Sequence, residues 1–117
     1  MPESDIDYKF VTTDPLNNTI YLAEEQWYHI TGNHPEMHGE EKEIKVTIEK
    51  PDSIYKDKDF DGTFCYYRQH NLGHMRTYGT KFKVIVNRKN QGLVKTAYVV
   101  DKIIEKVKEY PKPKKTK

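Results

Sequence analysis

Apolar and polar residues alternate in the second half of this chain and recur at helical spacing in the first. From Thr63 to His70, Phe64, Tyr66, Arg68 and His70 fall on one side and Thr63, Cys65, Tyr67 and Gln69 on the other, the period of a strand. Lys81–Asn87 repeats the pattern with Phe82, Val84 and Val86. Leu93–Val100 is a third β-rich run, entered through a turn at Asn90-Gln91-Gly92. Short connections between such runs predict an antiparallel meander. Asp101 then stands where an N-cap would, ahead of Ile103, Ile104 and Val107 spaced as the stripe of a closing helix.

Upstream, Tyr8–Val11 reads as one extended piece, and Asn17-Asn18 as a turn before Ile20-Tyr21-Leu22. Ala23–Ile30 is predicted helical: Ala23, Glu24, Glu25 and Gln26 are good helix formers, and the two acids complement the first-turn dipole. Ala23, Trp27 and Ile30 share one face, and Gly32 and Pro35 end the helix. Glu40–Lys50 supports two readings. Ile44, Val46 and Ile48 alternate as in a strand, yet Ile44 and Ile48 also share a helix face, and the glutamates favour helix. We take helix, ending before Pro51-Asp52. The whole is an α+β domain, with a lead over residues 1–19, one domain over 20–110 and a tail over 111–117.

Composition narrows the class. With 117 residues the chain suits one modest core, and 32% charged residues imply a well-solvated surface. Net charge is only +2, but Lys112, Lys114, Lys115 and Lys117 gather in the tail, which is expected to be disordered and to attract phosphates weakly. The single cysteine, Cys65, excludes an intramolecular disulfide framework and a cysteine-rich zinc site. No apolar run reaches membrane-spanning length and Met1–Asp5 lacks a signal-peptide layout, so no membrane partner is expected and the chain reads as cytoplasmic.

Chemistry gathers around histidine. Three of five histidines, His29, His34 and His38, lie close together, and imidazole trades protons near neutral pH. As metal ligands they are poorly spaced: on a continuous helix His29 and His34 point about 140° apart. A metal site needs the chain to bend back after Gly32 with His38 or Glu36 as third ligand, and no recognised ligand pattern is present. No nucleophile elbow or phosphate-binding glycine loop occurs. Metal-free RNA cleavage fits better. Attack by the 2′-hydroxyl needs a base, an acid and donors for the phosphate. Histidines supply the first two, and Arg68, projecting from mid-strand, grips phosphate in fork geometry. Thr96 and Tyr98 alternate onto one face of the last strand beside Val94 and Val100, where two hydroxyls can donate. Tyr66 and Tyr67 are candidates for stacking on unpaired bases.

The run Ile20-Tyr21-Leu22, Trp27-Tyr28-His29-Ile30, His34-Pro35-Glu36-Met37, Ile44 and Ile48-Glu49-Lys50-Pro51-Asp52-Ser53-Ile54 resembles the phage-associated barnase–EndoU–colicin–RelE-like nuclease domains. Gly92-Leu93-Val94-Lys95-Thr96-Ala97-Tyr98 is similar to their last strand. The resemblance spans Ile20 to Tyr98, and order and spacing carry it more than any single motif. It implies two N-terminal helices on a four-stranded antiparallel sheet, to which this sequence adds a C-terminal helix. It also implies metal-independent RNA cleavage on one sheet face, with no cofactor. His29 falls on the family's first-helix histidine, His34 on the turn after it, Arg68 on the basic residue of the second strand and Thr96 on the final-strand hydroxyl, with Tyr98 on the same face. RNA is the partner so implied, with an antitoxin or immunity protein if the domain is a toxin. The longer insert Gln69–Tyr78 adds His70, His74 and Arg76, and His70 and Arg76 are read as substrate-reading residues. Members of such folds also lose catalysis while keeping a binding surface, so a noncatalytic RNA- or protein-binding module is the second reading.

Overall fold

The alternating runs become the middle of a large sheet. In the computed structural model, which describes residues 7–112, β4 (Thr63–Gln69), β5 (Lys81–Asn87) and β6 (Gly92–Val100) form consecutive antiparallel pairs. A short strand β3 (Ser53–Lys56) pairs antiparallel with β4. At one edge, the hairpin of β1 (Tyr8–Thr13) and β2 (Thr19–Ala23) joins β6 through a parallel contact, Ile20 opposite Gly92 and Tyr21 opposite Leu93. At the other, β7 (Lys108–Tyr110) pairs with β3. The order is β1-β2-β6-β5-β4-β3-β7.

Two helices cover one face. α1 (Glu24–Asn33) sinks Trp27, Ile30 and Thr31, and α2 (Glu41–Glu49) sinks Ile44, Thr47 and Ile48. Their apolar residues meet Ile54, Tyr66, Phe82, Val84, Val86, Val94, Ala97 and Val99 from the strands in one core. Ile44 and Ile48 are wholly buried, each contributing about 1.5–3 kcal/mol. A single 3-10 turn at Pro35–Met37 joins the helices and buries Met37.

The expected four-stranded antiparallel meander with a C-terminal helix is overturned: among the described residues the sheet has seven strands and is mixed, and the α-helices are two. The hairpin, counted partly as lead, supplies edge strands because the Asp14 carboxylate accepts the Leu16 and Asn18 amides and fixes the turn. Asp101 does not cap a helix, since its carboxylate accepts the Thr80 amide at 3.1 Å. Residues 101–107 run on as an irregular strap, in keeping with the poor helix propensity of β-branched Ile103, Ile104 and Val107. The strap then pairs as β7. The part of the lysine-rich tail over 113–117 lies outside the described residues. No helix among the described residues is long and apolar enough to cross a membrane.

Candidate functional site

The sheet face turned away from α2 carries an unusual concentration of polar groups. Register places Cys65 opposite Ile85, Tyr67 opposite Lys83, and Lys83 opposite Tyr98, all pointing away from the core formed by Tyr66, Val84 and Ala97. Thr96 joins this face opposite Ile85. Its neighbour in the alternation, Val94, does not. The register shifts between Ile85 and Val86, so that Thr96 opposes the first and Val94 the second. This bulge at Lys95 turns Val94 into the core while Thr96 and Tyr98 face the other way.

The end of α1 brings His34 near one end of this face. β2 pairs with β6 only at Gly92 and Leu93, and the edge beyond them meets α1, where the Gln26 amide donates to the Lys95 carbonyl at 2.5 Å. The His34 amide closes the helix on the Ile30 carbonyl at 2.7 Å, and Pro35 stops it there. The half-buried imidazole of His34 consequently stacks on Tyr98, centroids 4.8 Å apart and planes 19° from parallel. Its Nδ1 lies 3.7 Å from the Glu36 carboxylate.

Beside Tyr98 the face is closed by the strap. Lys83 lies with its ammonium 5.8 Å from the Tyr98 ring centroid and 5.4 Å from that of Tyr67. It donates to Glu105 Oε2 at 3.0 Å, while the Tyr67 hydroxyl donates to Oε1. Lys83 and Glu105 are 4% and 6% exposed, so this is a buried ion pair between sheet and strap. Burial opposes both charges, but the mutual hydrogen bond and the added Tyr67 donor outweigh it, leaving Lys83 above and Glu105 below its ordinary value. Burial, with the hydrogen bond to Glu105, raises the Tyr67 phenol. Burial, with the Glu105 charge, pushes the adjacent Cys65 thiol up to about 12.

Asp57, Cys65 and Glu105 offer atoms within 4.8 Å of one another, a spacing that a metal ion can use. The donors are otherwise committed. Both Glu105 oxygens accept hydrogen bonds, Asp57 Oδ2 accepts the Asp59 and Phe60 amides, and the Cys65 thiol donates to Asp57 Oδ1 at 3.8 Å. The set fits a buried polar network better than a metal centre.

The remaining sequence-predicted residues are dispersed. His29 is exposed on α1, and His38 is exposed after the 3-10 turn. Arg68 stands opposite Phe82 on the core-facing side of β4, and its guanidinium donates to the Lys50 carbonyl at the end of α2 at 2.7 Å. Arg68 and the Thr96–Tyr98 pair thus lie on opposite faces. Tyr66 is buried, donating to Asp14 with Arg88 3.2 Å from its hydroxyl. His70 accepts the Leu72 amide on Nδ1 at 3.0 Å and lies 2.8 Å from the Gly79 carbonyl through Nε2, which fixes the Nε2–H tautomer and shapes the insert. Arg76 is exposed and lines a cavity of about 400 Å³ with Gln69, His70, Asn71 and Thr80.

Sequence reasoning missed Lys83 and Glu105. Alternation alone puts Lys83 on the polar side of β5, and nothing local distinguishes it from Lys81. No protein-family model matches the chain, and no curated protein or solved structure matches it either.

Proposed function

We propose that this domain handles RNA and cleaves it without a metal, in the manner of the nuclease domains its sequence resembles. The observation that carries the reading is the stacked His34–Tyr98 pair beside the Thr96 face. A half-buried imidazole held flat on an aromatic ring, with a carboxylate near its Nδ1, is oriented for proton transfer. The Tyr98 and Thr96 hydroxyls are neutral donors for phosphate oxygens. In this reading the second proton-transfer role rests on the resemblance alone, which gives it to His29, exposed on α1. The exposed Tyr28 next to it offers a ring for an unpaired base.

The second reading, a noncatalytic binding module, is favoured by one observation. The cations nearest in role to a phosphate clamp are engaged, Arg68 with the Lys50 carbonyl and Lys83 with Glu105.

Incubating the purified chain with a mixed RNA pool in excess chelator tests both. Chelator-resistant cleavage leaving cyclic phosphate ends, lost in His34→Ala, supports the ribonuclease. RNA retention without cleavage supports the binding module in its RNA-binding form, and neither retention nor cleavage refutes that form and the ribonuclease together. A toxin role adds an expectation that a cognate antitoxin or immunity protein suppresses the activity.

A further inference from the structure

The strap buries the wrong residue for a purely apolar closure. Of its side chains, Ile104 and Val107 are 53% and 57% exposed, while the carboxylate of Glu105 is inside. Turning a glutamate inward and two aliphatic residues outward forgoes hydrophobic stabilisation and adds the desolvation of two charges. Buried ion pairs are often no more stabilising than an apolar replacement, so stability alone does not account for this one.

What Glu105 occupies is a built anion site. An ammonium and a phenol converge on its two oxygens, flanked by the rings of Tyr67 and Tyr98. The donors belong to the regular strands β4 and β5, whereas the anion belongs to a segment without regular structure. On the reading that this face handles RNA, we infer that Lys83 and Tyr67 form a phosphate-binding site of the sheet, and that Glu105 is an internal carboxylate holding the place of an RNA phosphate. Phosphate and carboxylate present the same oxygens to these donors. Tyr98 places the site next to His34, so a phosphate seated on Lys83 extends a strand running past the stacked pair. No covalent step is involved. The exchange replaces one anion by another on fixed donors, and the strap moves aside.

The test measures binding of a short fluorescent single-stranded RNA, and separately of inorganic pyrophosphate, to the wild-type chain, Glu105→Gln and Lys83→Met/Glu105→Gln. Removing the internal anion is expected to tighten binding of both probes about tenfold, the worth of one charge-assisted hydrogen bond. The double variant is expected to return to the wild-type level. A gain for pyrophosphate without RNA binding leaves the anion site standing and removes its RNA assignment. RNA binding or cleavage by the wild type with no gain in Glu105→Gln leaves the RNA reading standing and overturns this inference. No gain for either probe overturns it too, as does a gain that survives loss of Lys83. Cys65, fully buried beside Glu105, reports independently on the wild-type chain. Saturating probe is expected to speed its modification by a thiol reagent several-fold, and an unchanged rate with probe bound overturns the displacement of the strap.

Discussion

The His34 imidazole lies 19° from parallel with the Tyr98 ring at 4.8 Å, joining the end of α1 to the last long strand. The stack sets the plane of a residue that lies between α1 and the 3-10 turn, and such aromatic contacts are worth about 0.5–1.5 kcal/mol beyond area burial. Replacing the ring and replacing the hydroxyl therefore have different expected consequences. Tyr98→Phe keeps the stack and loses one donor, and is expected to slow RNA cleavage about tenfold. Tyr98→Ala frees the imidazole, and is expected to approach the loss in His34→Ala, about 100-fold or more. Single-turnover cleavage of one oligonucleotide separates them. Equal rates in Tyr98→Phe and Tyr98→Ala would mean that the stack does not orient the histidine.

Arg68 gives a sharper discrimination, because the family resemblance and the geometry disagree about it. The resemblance implies a phosphate contact, whereas the guanidinium donates to the Lys50 carbonyl on the far side of the sheet from Thr96 and Tyr98. Arg68→Ala is expected to lower unfolding stability by about 1–2 kcal/mol, through the lost tie to the end of α2, and to leave RNA retention within about twofold. Urea denaturation and filter binding on one preparation measure both. A large fall in retention with unchanged stability would return Arg68 to the nucleic-acid surface.

Local pattern was enough to see the three central strands, but not β3 or β7, nor how β6 divides between the two faces. Lys81–Asn87 is β5 as the alternation predicts, and the expected helix Ala23–Ile30 starts one residue before α1 but stops three short of its end, because α1 runs through Gly32 to Asn33. Val94, Thr96 and Tyr98 alternate in sequence, but the bulge at Lys95 exists only when β6 is laid against β5, and it separates Val94 from the other two. The closing helix failed for a related reason. Ile103, Ile104 and Val107 have helical spacing, yet the partner that organises this segment is Lys83, 22 residues before Glu105 and on another strand. The sequence offers both His34 and Tyr98 as chemistry, while their contact needs the parallel β2–β6 junction and the helix docked along the edge beyond it.

That junction depends on Gly92. A Cβ built there would stand 2.3 Å from the Thr19 carbonyl oxygen and 2.6 Å from Ile20 Cδ1. The first is backbone of the paired strand and has no rotamer to change, so Gly92→Ala must push β2 away from β6. A destabilisation of about 2–3 kcal/mol is expected, in the range for overpacking, measured by urea unfolding. Because α1 follows β2 directly, cleavage should fall as well, through misplacement of His34. A variant of unchanged stability would show that the parallel contact is dispensable.

A buried carboxylate anchors the same hairpin. The Asp14 side chain is fully buried, accepts the Leu16 and Asn18 amides and the Tyr66 hydroxyl, and faces Arg88 at 3.5 Å. Arg88 also pairs with Glu109 of β7 at 2.6 Å, so the network ties the first turn to the last strand. Asp14→Ala strands a phenol and two amides together with part of a cation, and a loss of about 3–5 kcal/mol is expected. Asn at this position retains hydrogen bonding without charge, and is expected to lose about half as much. Equal losses in the two variants would assign the effect to charge alone.

Alkaline pH acts on the opposite face. The Cys65 thiol is raised from 9.0 to about 12, first by burial and then by the Glu105 charge, so the folded state holds this proton more tightly than the unfolded chain. A raised group contributes stability fully present below its unfolded value and lost as pH climbs towards its folded one, here from about pH 9 to about pH 12. Tyr66 and Tyr67, raised by burial from 10.0, and Lys83, raised from 10.5 as the Glu105 bond and nearby anionic groups outweigh burial, act in the same direction at higher pH. Glu105 works the other way: its lowered value gives stability present above about 4.5 and lost on acidification. From these groups together, the urea midpoint is expected to begin falling near pH 9 and to steepen above pH 10. Cys65→Ala removes the earliest of these ionisations. Although it costs some packing at neutral pH, its alkaline decline is expected to start about one pH unit later. A decline beginning at the same pH in both proteins would place the earliest alkaline ionisation away from the strap-covered face.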